Sequence, residues 1–380
     1  QQLRPDYLVS DFTLQTYGIS LIEESAQDGT AAFNAGLAVH GAYAQAIWDV
    51  TPDINVTGGV RFERGTQGVQ AIDLFKSNIG TQFNTALQRN YYLPALTATF
   101  KIADAMQLRF SGSKTIARPQ FRELIRQIYL DTDTNRQFRG NPSLIDSQLT
   151  NFDGRYEWFY DRNQAVSIAA FYKRIKNPIE AYSSIESSDV TTSFANAPTA
   201  DLYGFELEGT RYVPLSDWNG DFWASRRLVL IGNYTYTKSK IKVGANDATR
   251  IGGQTLKASD FFRNSTPLTG QSDHLVNLQV GLEDTDNLSQ QTILFSYASD
   301  RVTQRGASGQ PDVIERPGIK LDFVARQGIK LFGVESELKF EARNITATKY
   351  QEFQQGATNR VFYNLYRVGA SFSLGLGLKF

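Results

Sequence analysis

The 380-residue chain has no cysteine, one methionine and two histidines. Without cysteine there can be no disulfide framework and no thiolate metal site. The absence also suits a chain that crosses an oxidising compartment, where stray thiols would pair. Two distant histidines, His40 and His274, make a poor metal site. Ser272 and Asp273 precede His274, but successive residues on a strand point to opposite faces, so they do not compose a hydrolase triad. Net charge is missing too. The 39 basic residues match 39 acidic ones, which leaves no basic excess for nucleic-acid phosphates. No stretch of 18 apolar residues exists, so crossing a membrane by helices is excluded. Residues 1–25 carry no signal-peptide pattern, and Gln1 in place of Met points to a processed protein or part of a longer one.

What the chain does have is aromatic residues and alternation. It carries 25 Phe, 18 Tyr and 4 Trp, and aromatic and β-branched residues favour strands. Near the C-terminus Tyr366, Val368, Ala370, Phe372, Leu374, Leu376, Leu378 and Phe380 define one face, and Arg367, Gly369, Ser371, Ser373, Gly375, Gly377 and Lys379 the other. Upstream, Val334, Ser336, Leu338, Phe340 and Ala342 alternate with Glu335, Glu337, Lys339, Glu341 and Arg343. Period two with one oily face is a strand signature. Five charges on one face are too many for a dry core, so the oily face must be buried in something while the charged face stays wet. A second sheet could do this, but soluble strands run to about 5–6 residues. Many here run to about 10–13, the length a tilted strand needs to cross a bilayer.

Fourteen strands are predicted, at 12–22, 37–50, 54–66, 91–103, 106–117, 150–161, 164–175, 202–213, 228–241, 273–284, 290–300, 317–328, 334–345 and 366–380. Short connections follow every second strand, at 51–53, 104–105, 162–163, 285–289 and 329–333, with a longer one at 214–227. Between them come long polar loops at 23–36, 67–90, 118–149, 176–201, 242–272, 301–316 and 346–365. Short turns on one side and long loops on the other describe an all-β, antiparallel, up-and-down transmembrane barrel of the outer-membrane type, with the short turns periplasmic. Both chain ends then fall on the periplasmic side, and residues 1–380 form one barrel region. Aromatic pairs at strand ends, such as Tyr91 and Tyr92 or Trp158 and Phe159, suit interfacial girdles.

On this reading the lumen-facing wall carries Arg61, Glu63, Arg109, Asp153, Arg155, Glu157, Glu206 and Glu208, together with the five charges at 335–343. Taken singly, each is expected to be a solvated residue paired across strands; as a set they could contact a plug or a passing ligand. Gly252–Gly253 lies in a loop and Gly375/Gly377 in a strand, so neither pair is a phosphate loop. No loop shows a calcium-ligand pattern, and neither catalytic residues nor cofactors are expected.

Several segments share an order with a known family: KTIARPQFREL (114–124), GNPSLIDSQLTNFDGRYEWF (140–159), YKRIKNPIE (172–180), NAPTADLYGFELEGT (196–210) and RNITATKYQEF (343–353). VTGGVRFER (56–64) and YLPALTATFKI (92–102) belong to the same series. Together they resemble the C-terminal barrel region of TonB-dependent outer-membrane receptors, from about residue 37 onward. The Arg-Pro, Phe-Arg-Glu-Leu and Gly-Asn-Pro elements are the most specific.

The resemblance implies energy-coupled uptake of a scarce ligand, such as a metal chelate (a siderophore complex, for instance), an oligosaccharide or a peptide. It implies a plugged barrel of 22 strands, with the plug and the remaining strands supplied by the same protein or by a second chain. It also implies contact with the TonB complex through the plug, with outer-membrane lipid and lipopolysaccharide, and with barrel-assembly machinery through the terminal aromatic Phe380. Ligand contacts in the family lie in the plug apex, lumen wall and outer loops, which makes Phe121, Arg122, Arg126, Tyr129, Phe261, Phe262 and Arg263 candidates here. Two other readings stay open: a plug-free fourteen-strand diffusion channel, in which 12–22 pairs with 366–380, and a rim enzyme depending on His274.

Overall fold

The computed structural model describes residues 7, 10–19, 32–72, 84–132, 136–186, 189–306 and 309–378. A short helix, α1 (Asp11–Tyr17), comes first. The chain then enters β1 (Ala32–Thr51), β2 (Ile54–Ile72), β3 (Thr85–Ala103) and β4 (Met106–Ala117). A one-turn helix, α2 (Phe121–Leu124), leads to β5 (Ile128–Asp131) and β6 (Arg136–Arg139). Next come β7 (Ser147–Asp161), β8 (Gln164–Lys176), β9 (Ile179–Glu186), β10 (Asp189–Asn196) and β11 (Thr199–Pro214). They are followed by β12 (Arg226–Lys242), β13 (Ala248–Ile251), β14 (Gln254–Lys257), β15 (His274–Asp284) and β16 (Ser289–Ala298). The last seven are β17 (Arg301–Gln304), β18 (Val313–Arg316), β19 (Gly318–Leu331), β20 (Val334–Arg343), β21 (Lys349–Gln355), β22 (Arg360–Arg367) and β23 (Ser371–Leu378).

Thirteen of these strands make one sheet in the order β1-β2-β3-β4-β7-β8-β11-β12-β15-β16-β19-β20-β23. Every wall strand pairs antiparallel with the next wall strand in sequence, as an up-and-down barrel requires. The sheet is not closed: among the described residues its edges, β1 and β23, do not pair with each other. The tight connections have a local cause. Phe332 and Gly333 both adopt positive φ, at 50° and 82°, and two such residues in succession make the hairpin turn whose twist matches its strands.

Cross-strand register sorts the side chains by face. Trp158 lies beside Val166, Val166 beside Gly209, and Gly232 beside Leu278 on one face. Glu157, Ser167, Glu208, Asn233 and Asn277 run across the other. The apolar face is bare; Ile168 and Leu278 are each close to half exposed and Leu374 is 71% exposed. Among the described residues the two buried apolar clusters lie at the loop end. One includes Tyr182, Ala195, Ala200, Ile241, Phe262 and Leu268; the other comprises Val69, Leu124, Ile125, Leu144 and Phe194.

Four expectations change. Of the strand predicted at 12–22, residues 12–17 are helical and 20–22 lie outside the described residues. Start and stop signals decided this segment: the Ser10 hydroxyl accepts the Thr13 N–H at 3.3 Å, and Gly18 adopts φ 62° just past the end. The fourteen-strand channel loses its first strand with it. The predicted loops 23–36 and 67–90 give up residues to strands, since β1 starts at Ala32, β2 runs to Ile72 and β3 begins at Thr85; 23–31 and 73–83 lie outside the described residues. The predicted strand 366–380 divides into β22 and β23 at Gly369, φ 76°, and Phe380 lies outside the described residues. Finally, ten short strands occupy the polar loops from 118 onward.

Candidate functional site

The most specific sequence segments meet at the loop end of the wall. Arg118, leaving β4, forms an ion pair with Glu63 on β2. The Pro119 carbonyl accepts the Gln67 side-chain amide at 2.7 Å. The chain then turns into α2, where Gln120 and Glu123 bond each other's backbone N–H groups in a capping box. Gly140 N–H reaches the Ile125 carbonyl at 2.9 Å and Asn141 N–H the Glu123 carbonyl at 2.6 Å. A Cβ at Gly140 would sit 2.3 Å from the Ile125 oxygen and 2.7 Å from two more carbonyls, so glycine is required there. Asn141 is buried. Its amide donates to the Phe194 carbonyl at 3.0 Å and the Arg250 carbonyl at 2.8 Å, and its oxygen accepts Ser143 N–H at 3.0 Å and Gly252 N–H at 3.2 Å. One side chain therefore joins three loops.

Two four-stranded loop sheets surround this point, in the orders β5-β6-β10-β9 and β17-β18-β21-β22. An isolated parallel bridge, Tyr182 to Arg305, links them. Arg305 is 2% exposed. Its guanidinium bonds Glu180 at 2.8 Å, Asp312 at 3.0 Å and the Pro267 carbonyl. Burial pushes the Glu180 carboxyl up against the opposing pull of Arg305. Glu352, fully buried, accepts the Thr303 hydroxyl at 2.6 Å and the Asn364 amide at 2.9 Å and pairs with Arg136. Gln304 accepts the Thr192 hydroxyl at 2.7 Å and donates to Ser183. The charged ends of these buried side chains are paired, although Arg305 Nε and Arg136 Nε find no partner, and such a network favours one arrangement of the loops.

The sequence-predicted ligand residues fall in different places in this assembly. Arg126 lines a cavity of about 260 Å³ together with Arg139, Tyr182, Ser184, Thr191 and Gln254. Tyr129, on β5, stacks on Phe138 at 5.4 Å, and burial raises its hydroxyl above the ordinary range. Phe121 packs on the Leu124 cluster. Arg122 is exposed and bonds Gln120 at 3.0 Å. Phe261 meets Tyr182 edge-on at 5.2 Å. Phe262 is 1% exposed, in the core of the loop assembly. Arg263 is exposed and pairs with Asp312 at 2.6 Å. Of the seven, only Arg126 reaches the cavity. Gly140, Asn141 and Pro142 also line it and stood out through their motif, whereas Arg139, Tyr182, Ser184, Thr191 and Gln254 were not singled out, since such residues in polar loops give no signal.

The charged face of the wall is a chain of ion pairs. Glu63 sits between Arg61, at 3.0 Å, and Arg118. Farther along, Glu157 takes Arg109 and Arg155, each at 3.2 Å, and Arg155 goes on to Glu208. Asp153 accepts the Ser111 hydroxyl at 3.4 Å. Glu206 stands between Ala169 and Thr235 in register, and Glu335 opposite Lys330. Glu337 pairs with Arg326 at 2.6 Å, and Glu341 with Lys339 at 2.5 Å and Arg343 at 3.2 Å. His274 Nδ1 lies 2.9 Å from the Tyr234 hydroxyl, and the Ser272 hydroxyl goes to the Ser299 carbonyl. Among the described residues no group of three or more His, Asp or Glu could hold a metal ion.

A long antiparallel wall, bare and apolar on one face, charge-lined on the other and capped by loop sheets at one end, is the wall of an outer-membrane-type barrel. The family model described as TonB dependent receptor-like, beta-barrel matches residues 4–371, and the chain belongs to that family. Solved structures share the fold. The copper transporter OprC aligns with a TM-score of 0.60 at 12% identity, over 91% of this chain and 48% of its own. The ferric citrate transporter FecA, in its unliganded form, gives 0.57 at 13%, over 91% and 46%. The FrpB iron transporter from Neisseria meningitidis gives 0.55 at 14%, over 90% and 45%. The chain thus spans a little under half the length of these structures. No curated protein matches it in sequence.

Proposed function

We propose that this chain forms the wall and outer loops of a receptor that imports a scarce ligand across the outer membrane of a Gram-negative bacterium, with energy delivered through TonB. The observation that carries the reading is the family match over residues 4–371. The charged face lines the lumen and the apolar face meets lipid. The loop sheets lie outside the cell, the short turns and chain ends in the periplasm. Unpaired strand edges are not tolerated in hydrocarbon, so the edges of β1 and β23 are paired by strands from the rest of the receptor, in the same chain or a second one. That remainder brings the plug, which contacts TonB; assembly proceeds through the C-terminal strand. No step is catalytic.

Among ligand classes a metal chelate is favoured over an oligosaccharide or a peptide. Iron and copper transporters share the fold, and the loop cavity offers Arg126 and Arg139 beside hydroxyl groups, a lining that suits anionic oxygen-rich complexes. Of the other candidates, Phe261 touches the lining residue Tyr182, and Phe121 and Phe262 act by packing. Uptake of radiolabelled ferric and copper chelates by cells carrying the intact receptor tests this. Uptake should vanish on gene deletion and on adding a proton uncoupler, and Arg126→Ala should raise the half-saturating concentration about tenfold, the equivalent of ~1.4 kcal/mol. Uptake that persists with the uncoupler would mean passive diffusion and would overturn the proposal.

A further inference from the structure

The apolar face of the wall is not uniformly covered by side chains. On β11 and β12 two glycines, Gly209 and Gly232, lie directly opposite each other. Gly209 leaves the floor open and Leu278 leans over Gly232, where a Cβ would meet its Cδ2 at 2.9 Å; Trp158 and Val166 wall the floor on one side and Leu230, Leu278 and Val280 on the other. The result is a groove of about 450 Å³. Its lip is rigid, because Trp158 and Tyr160 rings meet at 5.2 Å and the Tyr160 hydroxyl donates to the Thr210 carbonyl at 2.7 Å.

Arg211 stands at one end of this groove and shares its face. It lies two residues beyond Gly209, ~7 Å farther towards the connection that follows β11. Its cross-strand neighbour is Leu230, and the pairing of β11 with β8 stops one residue earlier at Thr210–Ala165. Among the described residues Arg211 is in no ion pair, and Gln164, next in line on β8, bonds Asp161 instead. On the other face the arginines are matched: Arg155 by Glu157 and Glu208, Arg227 by Glu283 at 2.8 Å. A guanidinium on an apolar face needs a partner from outside the protein, and at the edge of hydrocarbon it can reach the head-group layer.

We propose that this groove is a phospholipid site of the periplasmic leaflet, with one acyl chain lying over Gly209 and Gly232 and the phosphate bonded to Arg211. It rests on the orientation given under Proposed function. Lipid is favoured over a protein partner because the groove is continuous with the apolar wall on both sides, and because a planar guanidinium matches a phosphate.

The test uses the intact receptor in detergent, titrated with phosphatidylglycerol or with diacylglycerol of the same chains, and bound lipid counted by native mass spectrometry. Wild type should hold one phosphatidylglycerol at least about tenfold more tightly than diacylglycerol, a difference of the size expected for one charge-assisted phosphate contact. Arg211→Gln should bring phosphatidylglycerol down to the diacylglycerol level. Gly209→Phe should weaken both lipids by filling the groove, and room exists for it, since a Cβ there meets nothing nearer than Val166 at 3.8 Å. Heat-modifiable gel migration checks that each variant is folded. Lipid retention equal in wild type and both folded variants overturns the site while leaving the barrel standing. A second protein co-purifying on this face, lost in Gly209→Phe, also overturns it. Orientation is read separately: in a cysteine-free chain, Ser216→Cys should react with an impermeant maleimide only in permeabilised cells. Labelling of intact cells would fail the orientation and would place the groove in the outer leaflet.

Discussion

The wall and the loop cap of this chain solve the same problem in opposite ways. The wall leaves its apolar side chains bare on one face and distributes ion pairs along the other. The cap buries both of the molecule's apolar clusters and, beside them, a network of charged and amide side chains centred on Arg305, Glu352 and Asn141. A wall in lipid gains its stability from its surroundings and from continuous backbone pairing. A cap in water must supply its own interior, and there a buried charge is costly unless it is paired.

The largest effect should therefore come from breaking the cap. Arg305→Met removes the guanidinium that pairs with buried Glu180, while Asp312 keeps Arg263, and removing one partner of a buried pair costs about 3–5 kcal/mol. Hydrogen exchange should show β9 and β17 losing protection while β11 and β12 keep theirs. Loss of protection throughout the wall would mean that cap and wall are one cooperative unit.

Within the wall, the two faces should differ by an intermediate amount. Ile168→Arg, on the apolar face, should cost about 2–4 kcal/mol in unfolding from liposomes. Thr235→Arg, in register with Glu206 on the charged face, should cost under about 1 kcal/mol. The reverse order would exchange lumen and lipid sides.

The smallest effect concerns pH at the junction of cap and wall. Burial holds the Glu123 carboxyl above its ordinary value. A raised acid contributes most below its unfolded value, and that contribution is lost as pH rises through the folded one. Amides at 123–125 and 140–141 should be better protected near pH 4 than near pH 7, by at most about threefold. Glu123→Gln, which keeps an oxygen for the Gln120 N–H, should flatten the difference.

The wall was legible because period two survives wherever one face is apolar. The predicted 106–117 matches β4 residue for residue, and most of the other wall strands differ only at their ends. The loop strands were not legible, because a ladder such as Gln254–Lys257 on Ala248–Ile251 is held by backbone bonds between residues with no apolar rhythm. Residues 11–17 show the converse failure. Phe12 and Leu14 alternate, yet the Ser10 cap and Gly18 decide for helix. At the site, Gly140 and Asn141 stood out through their motif, whereas Arg305 sits in a polar stretch without periodicity, and nothing nearby marked it as the centre of a network.

Asn141 carries a consequence for how such receptors diverge. Its amide is committed to carbonyls at Phe194 and Arg250 and its oxygen to Gly252 N–H, on two further loops. A single loop transplanted from another receptor would arrive without its counterparts and leave that amide facing a foreign backbone. A transplant that keeps the Asn141 contacts therefore has to bring all three loops together.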